Sequence, residues 1–216
     1  MGIVVQTLSE QIYALVRDRI LTGELEAGGS LRQDALAADL GVSKIPLREA
    51  MTRLEQDGLL RYATNRGFVV SPLSNDEAEE VYALRLKIEP DAIATAAIKA
   101  DDQARLVARS ALDRLEDAMA HDKPRVGKFN REFHLALTRP LQRQHTIQIV
   151  ERLNLISERY VSLHLQPAGR EGRAQREHAA ILDAWLNRRA AVVKAMMHDH
   201  IATTLQDLRK QFATVS

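Results

Sequence analysis

Leu40-Gly41-Val42-Ser43-Lys44-Ile45-Pro46-Leu47-Arg48-Glu49-Ala50 is the stretch that decides the fold of the first third of this 216-residue chain. Gly41 supplies the backbone freedom of a tight turn between helices. Ser43 suits an N-cap, its hydroxyl placed to accept from a first-turn amide. Pro46 then falls in the first turn, where a missing N–H removes no intrahelical bond. Lys44 and Arg48 lie four apart on one face, near the helix N-terminus. In a helix-turn-helix, that end of the second helix meets base edges in the major groove.

Upstream, Leu8, Ile12, Leu15, Val16 and Ile20 repeat at helical spacing and end near Gly23. A short helix is predicted over 33–39, with Leu36 and Leu40 inward. The recognition helix is predicted over 44–57, with Leu47, Ala50, Met51 and Leu54 inward and Gly58 as its C′ residue. Downstream the period changes. Residues 59–62 and 68–71 are strand candidates around Thr64-Asn65-Arg66-Gly67, where Asn and Gly favour a turn. Three helices and a hairpin make a winged helix-turn-helix over residues 1–71. Its tip carries Asn65, Arg66 and Gly67 toward a DNA backbone or minor groove. Residues 72–75 read as a linker. Residues 76–216 show only helical patterns, predicted over 76–100, 102–121, 125–138, 142–165, 172–187 and 189–212. The fold class is therefore mainly α: a winged domain followed by an all-α six-helix bundle. Pro90 should kink the first of these helices, and Gly127 weakens the third.

Bulk composition bounds the partners. The net charge of +1 excludes a generic polycation, and the 45% apolar content supports folded cores. Met1 to Ser74 holds eight Lys/Arg against nine Asp/Glu, so any DNA contact rests on a local cluster. That cluster is Lys44, Arg48, Arg53, Arg61 and Arg66. Arg48 suits guanine or phosphate, Lys44 suits a phosphate or a base, and Arg32 reaches phosphate or stays an exposed loop residue. Arg53 lies beyond the first two turns and reads as solvated or intramolecular. Cysteine is absent, and no leader peptide or membrane-length apolar run is evident. The expectation is a soluble cytoplasmic protein with no membrane partner.

Three histidines of the second domain share a phase with apolar stripes. Asn130 and His134 lie at i and i+4 beside Val126, Phe129, Phe133 and Leu137. His178 is in phase with Ile181, Leu182 and Trp185, and His200 with Val193, Met197, Thr204 and Leu208. Buried imidazoles need partners. Either each is a core histidine bonded to a neighbour, or one metal satisfies all three, as facing helices of a bundle allow. His121, His145 and His164 lie near predicted helix ends and read as surface residues. Arg85, in phase with Val81, Leu84, Ile88 and Ala92, needs an anion. That anion is either a bound effector or an internal carboxylate such as Glu89. Tyr160 is a candidate lining residue of the same cavity.

The run Leu36 to Ala50, then Leu54-Glu55-Gln56-Asp57-Gly58-Leu59 and Asn65-Arg66-Gly67, resembles the GntR family of bacterial transcription regulators. The family pattern has Arg at the position of Lys44, Thr at Ile45 and, in many members, Arg at Asp34. Lys44 keeps the charge without the bidentate fork, and Ile45 offers a methyl contact instead of a hydroxyl. Ser43, Lys44, Ile45 and Arg48 would meet the operator. The second domain resembles the ligand-sensing FCD domain of the FadR-type branch, in its shorter VanR-like group. The matching motifs are Leu84-Arg85-Leu86-Lys87-Ile88-Glu89, Asn130 to His134, Glu177-His178 and Met197 to His200. In metal-binding members the four matching positions hold an acidic residue and three histidines. Asn130 therefore puts a neutral amide where a carboxylate is usual. The resemblance implies a divalent metal at Asn130, His134, His178 and His200, with Zn2+ first and Ni2+ or another ion as alternatives. It further implies a small organic acid effector, a homodimer and a near-palindromic double-stranded DNA operator, with ligand relieving repression. A metal-dependent hydrolase and a regulator with a purely structural metal site are the alternatives. For the hydrolase a general base is lacking: Glu132 points elsewhere, and Glu177 is expected to face away.

Overall fold

A computed structural model describes residues 6–165, 167 and 169–215. Met1 to Val5, part of the stretch read for a leader peptide, lie outside the described residues. The chain divides into two compact units, Met1–Leu73 and Ser74–Ser216.

The first unit opens with α1 (Leu8–Leu21). Thr7 and Glu10 form a reciprocal capping box: Thr7 N donates to Glu10 Oε2 at 2.8 Å, and Glu10 N donates to Thr7 Oγ1 at 3.3 Å. The face it buries is Ile12, Val16 and Ile20. Leu8 and Leu15, expected on the same stripe, are exposed. The inward stripe is i, i+4; Leu15 lies off it, and Leu8 continues it but is the first residue of the helix. Next come α2 (Gln33–Leu40) and α3 (Lys44–Gln56). Gly41 joins them at φ 63°, a left-handed conformation that only glycine adopts at little cost. Leu47, Ala50, Met51 and Leu54 of α3 are fully buried, as their spacing predicts. Ser43 sits at the N-cap position, but its side chain makes no capping bond.

The hairpin is β2 (Leu60–Ala63) and β3 (Gly67–Val70), with Arg61 opposite Val69 and Tyr62 opposite Phe68. Sequence periodicity missed a third strand, β1 (Ser30–Leu31), which pairs antiparallel with β3. The sheet order is therefore β1-β3-β2. Tyr13 ties α1 to the end of α3, its hydroxyl donating to Asp57 Oδ2 at 2.5 Å. Arg53 lies over the Tyr13 ring at 4.7 Å, an intramolecular role rather than a free cation.

The second unit contains α4 (Asn75–Lys99), α5 (Asp102–His121), α6 (Val126–Thr138), α7 (Gln144–Leu165), α8 (Arg170–Leu186) and α9 (Ala190–Val215). The helix α4 packs on α9, α7 and α6. It runs through Pro90 as one element. Tyr82, Ile93, Leu115, Phe133, Leu137, Tyr160 and Trp185 are fully buried, and Trp185 Nε1 donates to Leu137 O at 3.2 Å. Gly127 is a packing residue: a Cβ there would lie 2.7 Å from Glu158 O on α7. Gly127→Ala is expected to destabilise the unit by about 1–3 kcal/mol through overpacking, read as a lower denaturant midpoint.

Candidate functional site

On the first unit, Arg32, Ser43, Lys44, Ile45, Arg48, Asn65 and Arg66 are all exposed, with Ile45 at 74%. Asn65 and Gly67 hold the wing turn at φ 64° and 70°. Among the described residues Arg48 has no internal ion pair. It opens onto a surface hollow shared with Gln33, Thr52, Glu55, Tyr62 and Phe68. Gln33 and Tyr62 were not singled out from sequence. The 64% exposure of Tyr62, an aromatic opposite buried Phe68 in the hairpin register, marks it as part of this face.

Lys44 is not free. Its Nζ lies 2.6 Å from Asp34 Oδ1, joining the first turns of α3 and α2, with both side chains largely exposed. This pair holds the Asp34 carboxyl below its ordinary range. An approaching phosphate must compete with Asp34 for Lys44. Asp34→Asn is therefore expected to tighten binding to mixed-sequence duplex DNA about fivefold at low salt, by freeing Lys44 for phosphate. The plot of log affinity against log salt should steepen by about one unit.

In the second unit, α6, α8 and α9 bring His134, His178 and His200 together. One ring nitrogen from each lies within 4.8 Å of the others. All three residues are buried, at 0%, 1% and 8% exposure. Asn130, also buried, lines the same cavity. Carboxylates set the tautomers. His134 Nδ1 is 2.5 Å from Glu89 Oε1, and His200 Nδ1 is 2.7 Å from Glu177 Oε2. Each Nδ1–H donates outward and leaves an Nε2 lone pair facing inward. His200 Nε2 faces His178 Nε2 at 3.2 Å, and His134 Nε2 is buried with no hydrogen-bond partner. Glu177 thus braces His200 from outside the centre, a contact that sequence reasoning, which had it facing away, did not foresee. Packing of α9 on α8 lets both Glu177 and its neighbour His178 reach His200.

Burial keeps the His134 and His178 rings neutral. The pKa of His134 is lowered to about 4 by desolvation, against the opposing pull of Glu89. His178 is pushed well below its ordinary value, again first by burial. Neutral imidazoles are the form that ligates a metal. The cavity is about 20 Å³. That is room for one ion or one water. Two converging imidazole lone pairs braced by carboxylates, with His178 Nε2 able to give up its proton to join them, fit a divalent ion.

Arg85 lines the cavity, but its charge is already met. Nε and Nη2 donate to the two oxygens of Glu89 at 2.8 and 3.0 Å, and Nη1 donates to Ser157 Oγ at 3.1 Å. The internal carboxylate Glu89 is its partner in this structure. Tyr160 is not among the lining residues. It is buried, and its hydroxyl donates to Glu77 Oε2 at 2.5 Å and lies 3.3 Å from Ser74 O at the start of α4. His164 reverses its expectation: it is 4% exposed and lines the cavity. Its spacing with Val150, Ser157 and Tyr160 carried that signal. His121 and His145 are exposed.

A winged helix-turn-helix joined to a helical unit with a buried histidine centre is the architecture of a DNA-binding regulator. Residues 8–70 match the family described as bacterial regulatory proteins, gntR family, and residues 80–203 match the FCD domain. The chain belongs to the GntR family, in the branch that carries an FCD domain. It is a DNA-binding transcriptional regulator, not an enzyme, and the hydrolase alternative falls. It is 28% identical over 216 residues to the HTH-type transcriptional regulator BphR of Paraburkholderia xenovorans, covering 95% of this chain and 87% of BphR. It is 28% identical over 146 residues to the HTH-type regulator YdhC of Bacillus subtilis, covering 67% of this chain and 65% of YdhC, just under two thirds of that relative. The structure of E. coli McbR/YncC superposes with a TM-score of 0.82 at 20% identity, covering 98% of this chain and all of that one, a likeness of fold. Among the described residues no helix is long and apolar enough to cross a membrane.

Proposed function

We propose that this chain is a ligand-responsive repressor whose helical unit holds a divalent ion at His134, His178 and His200, with Asn130 beside them. Zn2+ is the first candidate, and Ni2+ or another divalent ion the alternative. The observation that carries the reading is the convergence of three imidazole nitrogens within 4.8 Å in a buried cavity. Bound there, the ion supplies a Lewis-acidic point for an anionic ligand. A small organic acid is the effector this centre suits, because the set of donors is neutral and adds no charge to offset the ion. A cavity of about 20 Å³ holds the ion and little else. Entry of an acid therefore requires the helices to give way, and ligand then favours a different arrangement of the unit. Two copies would place two winged units, through Lys44, Arg48 and the wing at Asn65 to Gly67, on half-sites of a near-palindromic operator.

Elemental analysis of dialysed protein tests the centre: about one transition ion per chain supports it, and none after reconstitution leaves the histidines as core groups. Selection of duplexes from a random pool, repeated with an organic-acid panel, tests the response. The small cavity also favours a second reading, an ion with a purely structural role. Chelation that unfolds the helical unit, with DNA binding indifferent to every acid, would select it.

A further inference from the structure

The winged unit carries one large apolar side chain that its own packing does not use. Ile45 is the second residue of α3 and is 74% exposed, the most exposed large apolar side chain among the described residues. The inward stripe of the same helix, Leu47, Ala50, Met51 and Leu54, is fully buried. At the helical repeat Ile45 points about 160° away from Leu47, on the outward side. Arg48 and Thr52 follow at i+3 and i+7, both exposed, so the three form one outward ridge. Arg48 and Thr52 also line the hollow beside Tyr62 of the hairpin. Next to Ile45, Lys44 Nζ is already held by Asp34 at 2.6 Å. A phosphate arriving at this turn must displace a carboxylate, whereas an apolar group arriving at Ile45 displaces only water.

The first residues of a recognition helix meet base edges in the major groove. Among the groups displayed there, the one apolar group is the C5-methyl of thymine. Cytosine shows a hydrogen at that position, and 5-methylcytosine shows the same methyl as thymine. Contact between Ile45 and a methyl group withdraws both from water. A polar base edge pressed against Ile45 would lose its water and gain no hydrogen bond in return. The side chain therefore favours one kind of base edge and penalises the others.

We propose that Ile45 reads the C5-methyl group of a pyrimidine, so that this regulator distinguishes methylated from unmethylated pyrimidines at one base pair under each winged unit. Thymine is the base selected there. A 5-methylcytosine in its place binds better than cytosine, which makes base methylation at that position a direct modulator of operator affinity. The inference rests on the reading above that the first turns of α3 face the operator, and Arg48 provides the separate check on that reading. It is independent of the histidine centre.

The test measures the affinity of the full chain, at one fixed salt concentration, for a duplex selected from a random pool. Each thymine of that duplex is replaced in turn by deoxyuridine, which removes the methyl and keeps every hydrogen-bonding group. At one thymine under each winged unit the unaltered protein should lose affinity by about three- to fivefold, the worth of one methyl group withdrawn from water. Ile45→Ala touches no packed contact of the unit. It should bind the thymine duplex more weakly by a similar factor and be indifferent to deoxyuridine. Cytosine and 5-methylcytosine at the same position, each opposite guanine, should differ by that factor in the unaltered protein and not in Ile45→Ala. Arg48→Ala should weaken binding to all these duplexes and keep the methyl discrimination. An unaltered protein indifferent to every deoxyuridine, while Arg48→Ala still weakens binding, overturns this inference alone. A deoxyuridine penalty of equal size in Ile45→Ala also overturns it, and a penalty abolished by Thr52→Ser instead gives the methyl contact to Thr52. Full affinity in Arg48→Ala together with indifference to deoxyuridine overturns the placement of α3 on the operator and this inference with it.

Discussion

Arg85→Met is expected to destabilise the helical unit by about 3–5 kcal/mol, the usual cost of leaving one member of a buried ion pair alone. Arg85 and Glu89 are 3% and 1% exposed, one turn apart on α4, and joined by two hydrogen bonds. Burial works against the Glu89 carboxylate, yet Arg85 and His134 outweigh it and hold its pKa well below the ordinary range. In the intact protein Glu89 therefore contributes stability at neutral pH that is lost as pH falls through its depressed pKa. Without Arg85 the sign reverses. Burial then dominates, the folded pKa rises above the unfolded value, and stability is lost as pH rises. Urea midpoints of Arg85→Met should accordingly fall further below those of the parent at pH 8 than at pH 5 (both chosen about the ordinary carboxylate range). Adding Glu89→Gln removes the orphan charge and keeps an acceptor for His134 Nδ1–H, so the double variant should recover much of the loss. A penalty equal at both pH values would locate the effect of Arg85 in packing rather than charge.

The parts of this chain that could be read in advance are those where one residue's environment repeats at a local period. The α3 stripe Leu47, Ala50, Met51 and Leu54 is such a case, and so are the inward phases of His134, His178 and His200 on three separate helices. What escaped depends on contacts distant in sequence. The strand β1 has only two residues, too few to show a period, and exists because Ser30 and Leu31 meet Val69 and Phe68. His164 was read as exposed because it lies near a helix end, but α7 ends inside the bundle and buries it. Glu177 was read from its own helix, whereas its partner His200 lies on α9. Gly127 looked like a weakness within α6, and its purpose is visible only beside Glu158 of α7. Tyr160 was placed in the cavity, yet its hydroxyl goes to Glu77 and Ser74 at the start of α4.

The two functional centres should also separate cleanly under mutation. His134→Ala with His178→Ala removes two of the three converging imidazoles, and the remaining His200 with Asn130 cannot hold a divalent ion through dialysis. Metal content, measured by plasma mass spectrometry, should fall from about one ion per chain to none. A gentler change tests the outer layer. Glu177→Gln keeps all three imidazoles but weakens the contact to His200 Nδ1, and it should lower metal affinity by about 10–100-fold. Neither change touches the reading face of the winged unit. Arg48→Ala does the reverse. It removes an exposed guanidinium that has no internal ion pair among the described residues, and it should cost about 1–3 kcal/mol, roughly 10- to 150-fold, in affinity for a selected duplex while metal content holds. Full metal occupancy in the double histidine variant would remove these residues from the site, because a buried ion does not survive the loss of most of its donors. Loss of metal on Arg48→Ala would instead indicate general unfolding, since the guanidinium and the histidines sit in separate compact units.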